Sequence, residues 1–207
     1  MTPKTDDWDD LLSLASISDA EIQLDDIPET SNFAHSRRGA FDPLQRRDHD
    51  VRAIANWFID KAQLAKLSIA KVWVNKLTYL AYETAILDEN IVLTPARAEA
   101  WNFGPVFREI YSQFDEIESR GHLEKFSIVG RQRIKVESRF DACETQILEQ
   151  VWEKYSTMSA TDLTAVTHAE GTPWRTVWEL GGEVNPGMAI DPALILGRNR
   201  GQFDGKH

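Results

Sequence analysis

The side chains with chemistry to offer gather in a few patches. Thr167-His168-Ala169-Glu170 stands just ahead of Gly171-Thr172-Pro173-Trp174. An imidazole two residues from a carboxylate is the raw material of a general base oriented by an acid, or of part of a metal site. The same residues also have a structural reading. His168 then hydrogen-bonds at a helix C-terminus, where a proton suits the dipole, and Glu170 accepts backbone N–H groups at the start of a helix opened by Pro173. No second acid, nucleophile or ligand accompanies the patch, so the structural reading leads. Asn75-Lys76-Leu77-Thr78-Tyr79-Leu80-Ala81 reads as a packed helix rather than a site, with the Lys76 stem laid along the surface and its charge in water.

A third patch, Ala100-Trp101-Asn102-Phe103-Gly104-Pro105-Val106, continues to Tyr111. Gly104 lets the backbone turn, Pro105 fixes φ, and two aromatics flank the turn. Such a corner packs a core, or else presents Trp101 or Phe103 as a contact anchor, since aromatics dominate interface hot spots. Elsewhere the motif search is negative. The sequence has no GxSxG, GxxxxGK[ST], GxGxxG or HExxH. His35, His49, His122, His168 and His207 are widely spaced, and the single Cys143 excludes an internal disulfide and any CxxC zinc site. The expectation is a protein without metal or cofactor that is not an enzyme.

These patches need elements to position them. Val51, Ile54, Ala55, Phe58, Ala62 and Ala65 keep helical spacing behind Asp48 or Asp50 as N-cap. A second helix after Ser68 places Trp73, Leu77, Leu80, Ala81, Thr84 and Leu87 on one face and closes at Asn90. Ile91-Val92-Leu93 is a short extended piece ended by Thr94-Pro95. Gly104-Pro105 predicts a third helix with proline in its first turn, lined by Val106, Ile110, Phe114 and Ile117 and stopped at Gly121. Phe126 and Ile128, then Ile134 and Val136, alternate about Gly130-Arg131 as a β-hairpin. Phe140 to Tyr155 is amphipathic, Ser159 to Asp162 is a capping box for a helix ending near His168, and Thr172-Pro173-Trp174 opens another that ends at Gly181-Gly182. A last turn holds Ala193 to Leu196. The expected fold class is mainly α (α+β), a compact helical domain with one small antiparallel hairpin.

The chain has 207 residues, a net charge of −10, 42% hydrophobic and 27% charged residues. That suits one domain of about 150 residues with an appendage, or two small ones. Residues 1–30 hold nine acids against Lys4 alone, while the rest is nearly balanced. We divide the chain into an acidic, largely disordered arm at 1–47, a domain at 48–196 and a flexible tail at 197–207. Within the arm, Trp8, Leu11, Leu12 and Leu14 stand among the acids, a pattern that folds on a partner or merely keeps a tail soluble. No apolar run reaches the ~20 residues of a membrane span. The acidic N-terminus is not a secretory signal, so a cytoplasmic location is expected. The negative charge argues against a nucleic-acid binder.

Lys76 to Ala81, then Ala100 to Val106 with Tyr111, then Thr167 to Glu170 with Pro173-Trp174, in that order and with a hairpin between the second and third, resemble the Panacea domain, the phage-associated, SocA-like antitoxin family. The resemblance spans roughly residues 48 to 180 and rests on Lys76, Tyr79, Trp101, Gly104, Pro105, Tyr111, His168, Glu170, Pro173 and Trp174. It implies neutralisation of a protein toxin encoded in the neighbouring gene by direct binding, with no catalytic residues established for the domain. Some members are instead adaptors that deliver the toxin to an ATP-dependent protease. Against these, a hydrolase-type enzyme using His168 and Glu170 is the rival from another class. Pro95 and Arg97 stand where the family usually has a plainer extended run. The acidic arm replaces a helix-turn-helix, so direct DNA binding is not expected. The residues expected to meet the partner are Trp8, Leu11, Leu12, Leu14, Trp101 and Phe103.

Overall fold

The computed structural model describes residues 43–113, 121–182 and 186–199. The arm residues Trp8, Leu11, Leu12 and Leu14, the helix positions Phe114 and Ile117, and the tail beyond Asn199 lie outside the described residues.

The chain enters as a two-residue strand β1 (Gln45–Arg46), inside the stretch whose charge assigns it to the arm, and pairs in parallel with β2 (Ile91–Val92). Helix α1 (Val51–Leu64) is capped by Asp50, whose side chain accepts from Arg52 N, and buries Val51, Ile54, Ala55, Phe58 and Ala62. Ala65, on the same periodicity, is the exposed C-cap.

Helix α2 (Lys71–Glu89) is the centre of the molecule. From Trp73 to Glu83 every residue is buried, so it lacks the one-sided face its pattern suggested. It packs against α1, the later helices and the β-structure in turn, and the polar side chains Asn75, Lys76 and Thr78 that are buried with it are hydrogen-bonded to main-chain groups. Asn90 ends it with φ +57°, a conformation asparagine tolerates.

The third helix is corrected by the structure. Gly104-Pro105 does not open a helix. Strands β3 (Ala98–Trp101) and β4 (Gly104–Phe107) form an antiparallel hairpin around Asn102-Phe103, with Trp101 opposite Gly104 and Ala100 opposite Pro105. Gly104 takes φ +102°, as the exit of the turn requires. Pro105 is tolerated because β4 is an edge strand, paired with β3 on one side, where an absent N–H breaks no ladder on the far side. The helix begins only at α3 (Arg108–Ser112), which buries Ile110.

The second hairpin is as expected, β5 (Glu124–Ser127) with β6 (Gln132–Lys135), turning through Arg131 at φ +48°. Its base is held by Asn56, which donates to the Leu123 and Val136 carbonyls at 2.8 Å each and accepts from Leu123 N. Helix α4 (Ala142–Tyr155) opens with an Asp141–Glu144 capping box, and α5 (Ala160–His168) with the expected Ser159–Asp162 box. Helix α6 (Pro173–Val177) is followed by an irregular turn at Trp178–Gly182, then β7 (Met188–Ala189) pairs with β3. Helix α7 (Pro192–Asn199) runs past Leu196. The architecture is mainly α with small sheets, and no described helix is long and apolar enough to cross a membrane.

Candidate functional site

The three sequence patches meet at the β3–β4 turn. Because Gly104 has no side chain, the Lys76 amine on α2 reaches under it and donates to the Phe103 carbonyl at 2.5 Å and the Pro105 carbonyl at 3.3 Å. A Cβ at 104 would collide with the Lys76 amine and come within 3.0 Å of His168 Nε2. One residue earlier in α2, Asn75 pairs with the Phe107 main chain in both directions, accepting from its N–H at 2.8 Å and donating to its carbonyl at 3.3 Å. The central helix thus clamps both ends of β4.

Lys76 is 1% exposed, so its side chain does not lie along the surface as the sequence suggested. Burial pulls its amine from the ordinary 10.5 down to about 7, and its hydrogen-bond acceptors are carbonyls rather than carboxylates. His168, at the end of α5, lies flat on Trp174 with ring centroids 3.6 Å apart and planes 6° from parallel. Its Nε2 is buried without a hydrogen bond, although the nearby Phe103 carbonyl opposes the loss of its proton. Burial, the Lys76 charge and Arg175 together lower its pKa, which removes the helix-end proton expected from the dipole.

Trp174 completes the link by donating Nε1 to the Trp101 carbonyl at 2.9 Å, and it stacks in turn on Trp178. Pro173 is buried beside it. The N-cap role assigned to Glu170 belongs to Thr172, whose hydroxyl accepts from Arg175 N and donates to the Thr167 and Ala169 carbonyls. Glu170 is exposed to solvent, and a β-hydroxyl adjacent to the first helical residue is simply closer to the free N–H groups. Tyr79 lies in the core at 1% exposure, away from the surface.

Above this floor the surface is aromatic. Trp101 donates Nε1 to Glu99 at 2.8 Å, and Arg108 reaches the same carboxylate at 2.8 Å while lying over the Trp101 ring. Burial alone would raise the Glu99 carboxyl, but the Arg108 and Trp101 hydrogen bonds outweigh it and hold it below its ordinary value. The Trp101 and Tyr111 rings lie 5.0 Å apart, and the Lys71 amine sits 4.1 Å above Tyr111. Phe103 projects from the turn, 70% exposed. Between them is a cavity of about 270 Å³, walled by Val72, Trp101, Phe103, Pro105, Val106 and Tyr111.

The sequence reading missed Lys71, Val72, Glu99 and Arg108. Glu99 and Trp101 do alternate on one strand, which places both on one face, but the misread helix at Gly104 hid that strand. The arrangement is an aromatic corner on a hairpin held from beneath by Lys76 and Asn75, and no group of three His, Cys, Asp or Glu is placed to hold a metal among the described residues.

Comparison with known proteins agrees with the three patches. The family described as "Antitoxin SocA-like, Panacea domain" matches residues 74–175, which contain Lys76, the β3–β4 corner, His168 and Trp174. Antitoxin SocA of Caulobacter vibrioides is 31% identical over 157 residues, covering 74% of this chain and 84% of that protein. No solved structure matches the chain. With its motifs converging on one clamped hairpin and this relative aligned along most of both chains, the protein belongs to the SocA-like antitoxin family that carries the Panacea domain.

Proposed function

We propose that the protein is an antitoxin that neutralises a cognate protein toxin by binding it directly, through the aromatic corner and the acidic arm. Family membership supports the antitoxin role and speaks for a non-enzymatic one. The observation that carries the binding mode is the corner itself: Phe103 stands 70% exposed on a turn held from beneath by Lys76 and Asn75. An exposed aromatic on a rigid mount loses little entropy on association, which is what a contact anchor needs. Trp101 forms the wall behind it. The arm brings a second kind of contact, with Trp8, Leu11, Leu12 and Leu14 spaced among nine acids. Such a segment is attracted to a basic toxin over long range and can cover a positively charged active site.

The hydrolase reading gains nothing from the geometry, since His168 is stacked on Trp174 with its Nε2 turned inward and Glu170 is out in solvent. The test is co-expression with the product of the adjacent open reading frame. The expected result is growth arrest by that product alone, rescue by this protein, and co-purification of the two. A toxic neighbour that is rescued while no complex can be recovered would remove direct binding from the account and turn attention to protease delivery.

A further inference from the structure

Beneath the aromatic corner, two basic nitrogens reach one carbonyl from different helices. The Lys76 amine comes from α2 and donates to the Phe103 carbonyl at 2.5 Å and to the Pro105 carbonyl at 3.3 Å. His168 comes from the end of α5, with its Nε2 buried near the same Phe103 carbonyl, which favours its proton. The two nitrogens come close because residue 104 has no side chain. A Cβ there would collide with the Lys76 amine and meet His168 Nε2 at 3.0 Å. Trp174 closes one face of the imidazole, stacked on it at 3.6 Å.

The charges around this point are all positive. Lys76 from α2 and Arg175 from α6 face His168, while β4 brings main chain only. On α5 itself, Asp162 is bonded to Ser159 at the far end, and Glu170 beyond the helix is exposed. Lys76 meets His168 and the two carbonyls; along its own helix Lys71 lies over Tyr111, and Tyr79 is in the core. Among the described residues no carboxylate bonds to either nitrogen. Two cations sharing one carbonyl, out of reach of water, repel each other strongly.

Resting on the antitoxin reading above, we propose that Lys76, His168 and the Phe103 carbonyl between them form a proton switch on toxin binding: the Phe103 anchor stays in place while Lys76 alone is charged there, and is displaced when acid charges His168 as well. The turn is tied down by Lys76 at the Phe103 carbonyl and by Trp174 at the Trp101 carbonyl. An imidazolium pressed against the ammonium either leaves Trp174 or lifts the turn from Lys76. Both movements shift Phe103, whose value as an anchor lies in being held before the toxin arrives. The order of charging follows from burial, which draws the Lys76 amine to about 7, and from burial with the Lys76 charge, which holds His168 below its ordinary 6.5. As pH falls Lys76 is charged first and His168 after it. Affinity is therefore complete above the ordinary histidine value and is lost below it, by up to about tenfold per pH unit for one excluded proton.

His168→Phe keeps a ring on Trp174 and removes the proton site, and Lys76→Met removes the other cation. Full-length wild type and both variants are titrated with the purified product of the adjacent reading frame at pH 7.5 and 5.5, with melting temperatures recorded at each. The toxin's own titration is common to all three and cancels in the comparison. Wild type should lose at least about threefold more affinity than His168→Phe on acidification. Lys76→Met should also lose less than wild type. Equal loss in wild type and His168→Phe overturns the switch, and equal loss in wild type and Lys76→Met overturns the repulsion that drives it. Amide spectra of wild type alone give a second reading over the same pH range, with the Phe103 and Gly104 resonances expected to move together with the His168 ring. Fixed Phe103 and Gly104 resonances overturn the switch even where a variant fails to fold. A wild type that neither binds nor neutralises the neighbouring product at pH 7.5 overturns the antitoxin reading itself, while these resonances still report on the switch.

Discussion

Lys76 folds into a place where water cannot solvate its charge, and its amine falls from 10.5 to about 7. An unfolded chain keeps that proton up to the ordinary value, so between about pH 7 and 10 the unfolded state binds more protons than the folded one. Stability therefore rises with pH across this window, by up to about 1.4 kcal/mol per unit. His168 acts in the same direction lower down. Its pKa is depressed, so its contribution is complete above its ordinary 6.5 and is lost as pH falls below that value. Lys76→Met should remove the upper slope: the melting temperature of wild type climbs relative to that of the variant from pH 7 to 9. Parallel curves would mean that the Phe103 and Pro105 carbonyls hold the ammonium form at full strength.

At the scale of elements, the buried tie between the β5–β6 hairpin and α1 is Asn56, beside the more exposed Lys135–Asp60 pair. Asn56 is 1% exposed and makes three hydrogen bonds to the Leu123 and Val136 main chain. Asn56→Ala strands buried main-chain groups and should cost about 3 kcal/mol in denaturant unfolding. Hydrogen exchange should show lost protection in β5 and β6 before any loss in α2. Equal loss everywhere would place Asn56 in the global core instead. The β5–β6 hairpin was legible because alternation and its turn are local, and so were α1, the Ser159 capping box and the Asn90 stop. The Gly104-Pro105 corner was not. A glycine followed by proline fits a helix entry and a hairpin exit equally well, and what decides between them is pairing with β3, itself held on its other side by β7 some ninety residues later. Lys76 was hidden for a related reason, since its acceptors lie 27 and 29 residues on, in that corner rather than on its own helix. The motif residues of the site were therefore readable as patches, while the cavity between them, with Lys71 and Val72 on its rim, existed only once α2 and the hairpin were brought together.

The whole molecule has its charge concentrated in the first 30 residues, which carry −8 of the net −10. If that charge draws in the toxin, deleting residues 1–30 leaves a folded domain whose association rate with the neighbouring product is lower and nearly independent of salt. Wild-type rate and salt dependence after the deletion would take the arm out of the encounter. The central position of α2 bears on something else, the time at which the protein becomes competent. Its neighbours come from both ends of the described chain, α1 before it and α4, α5 and α7 after it, so its apolar surface is fully covered only when Pro192–Asn199 is available. At roughly 5–20 residues per second, translation from the end of α2 to α7 occupies on the order of ten seconds, during which the helix is made but unsheathed. A chain truncated before Pro192–Asn199 leaves that side of α2 uncovered, and such a chain is expected to be degraded faster than the full chain in limited proteolysis.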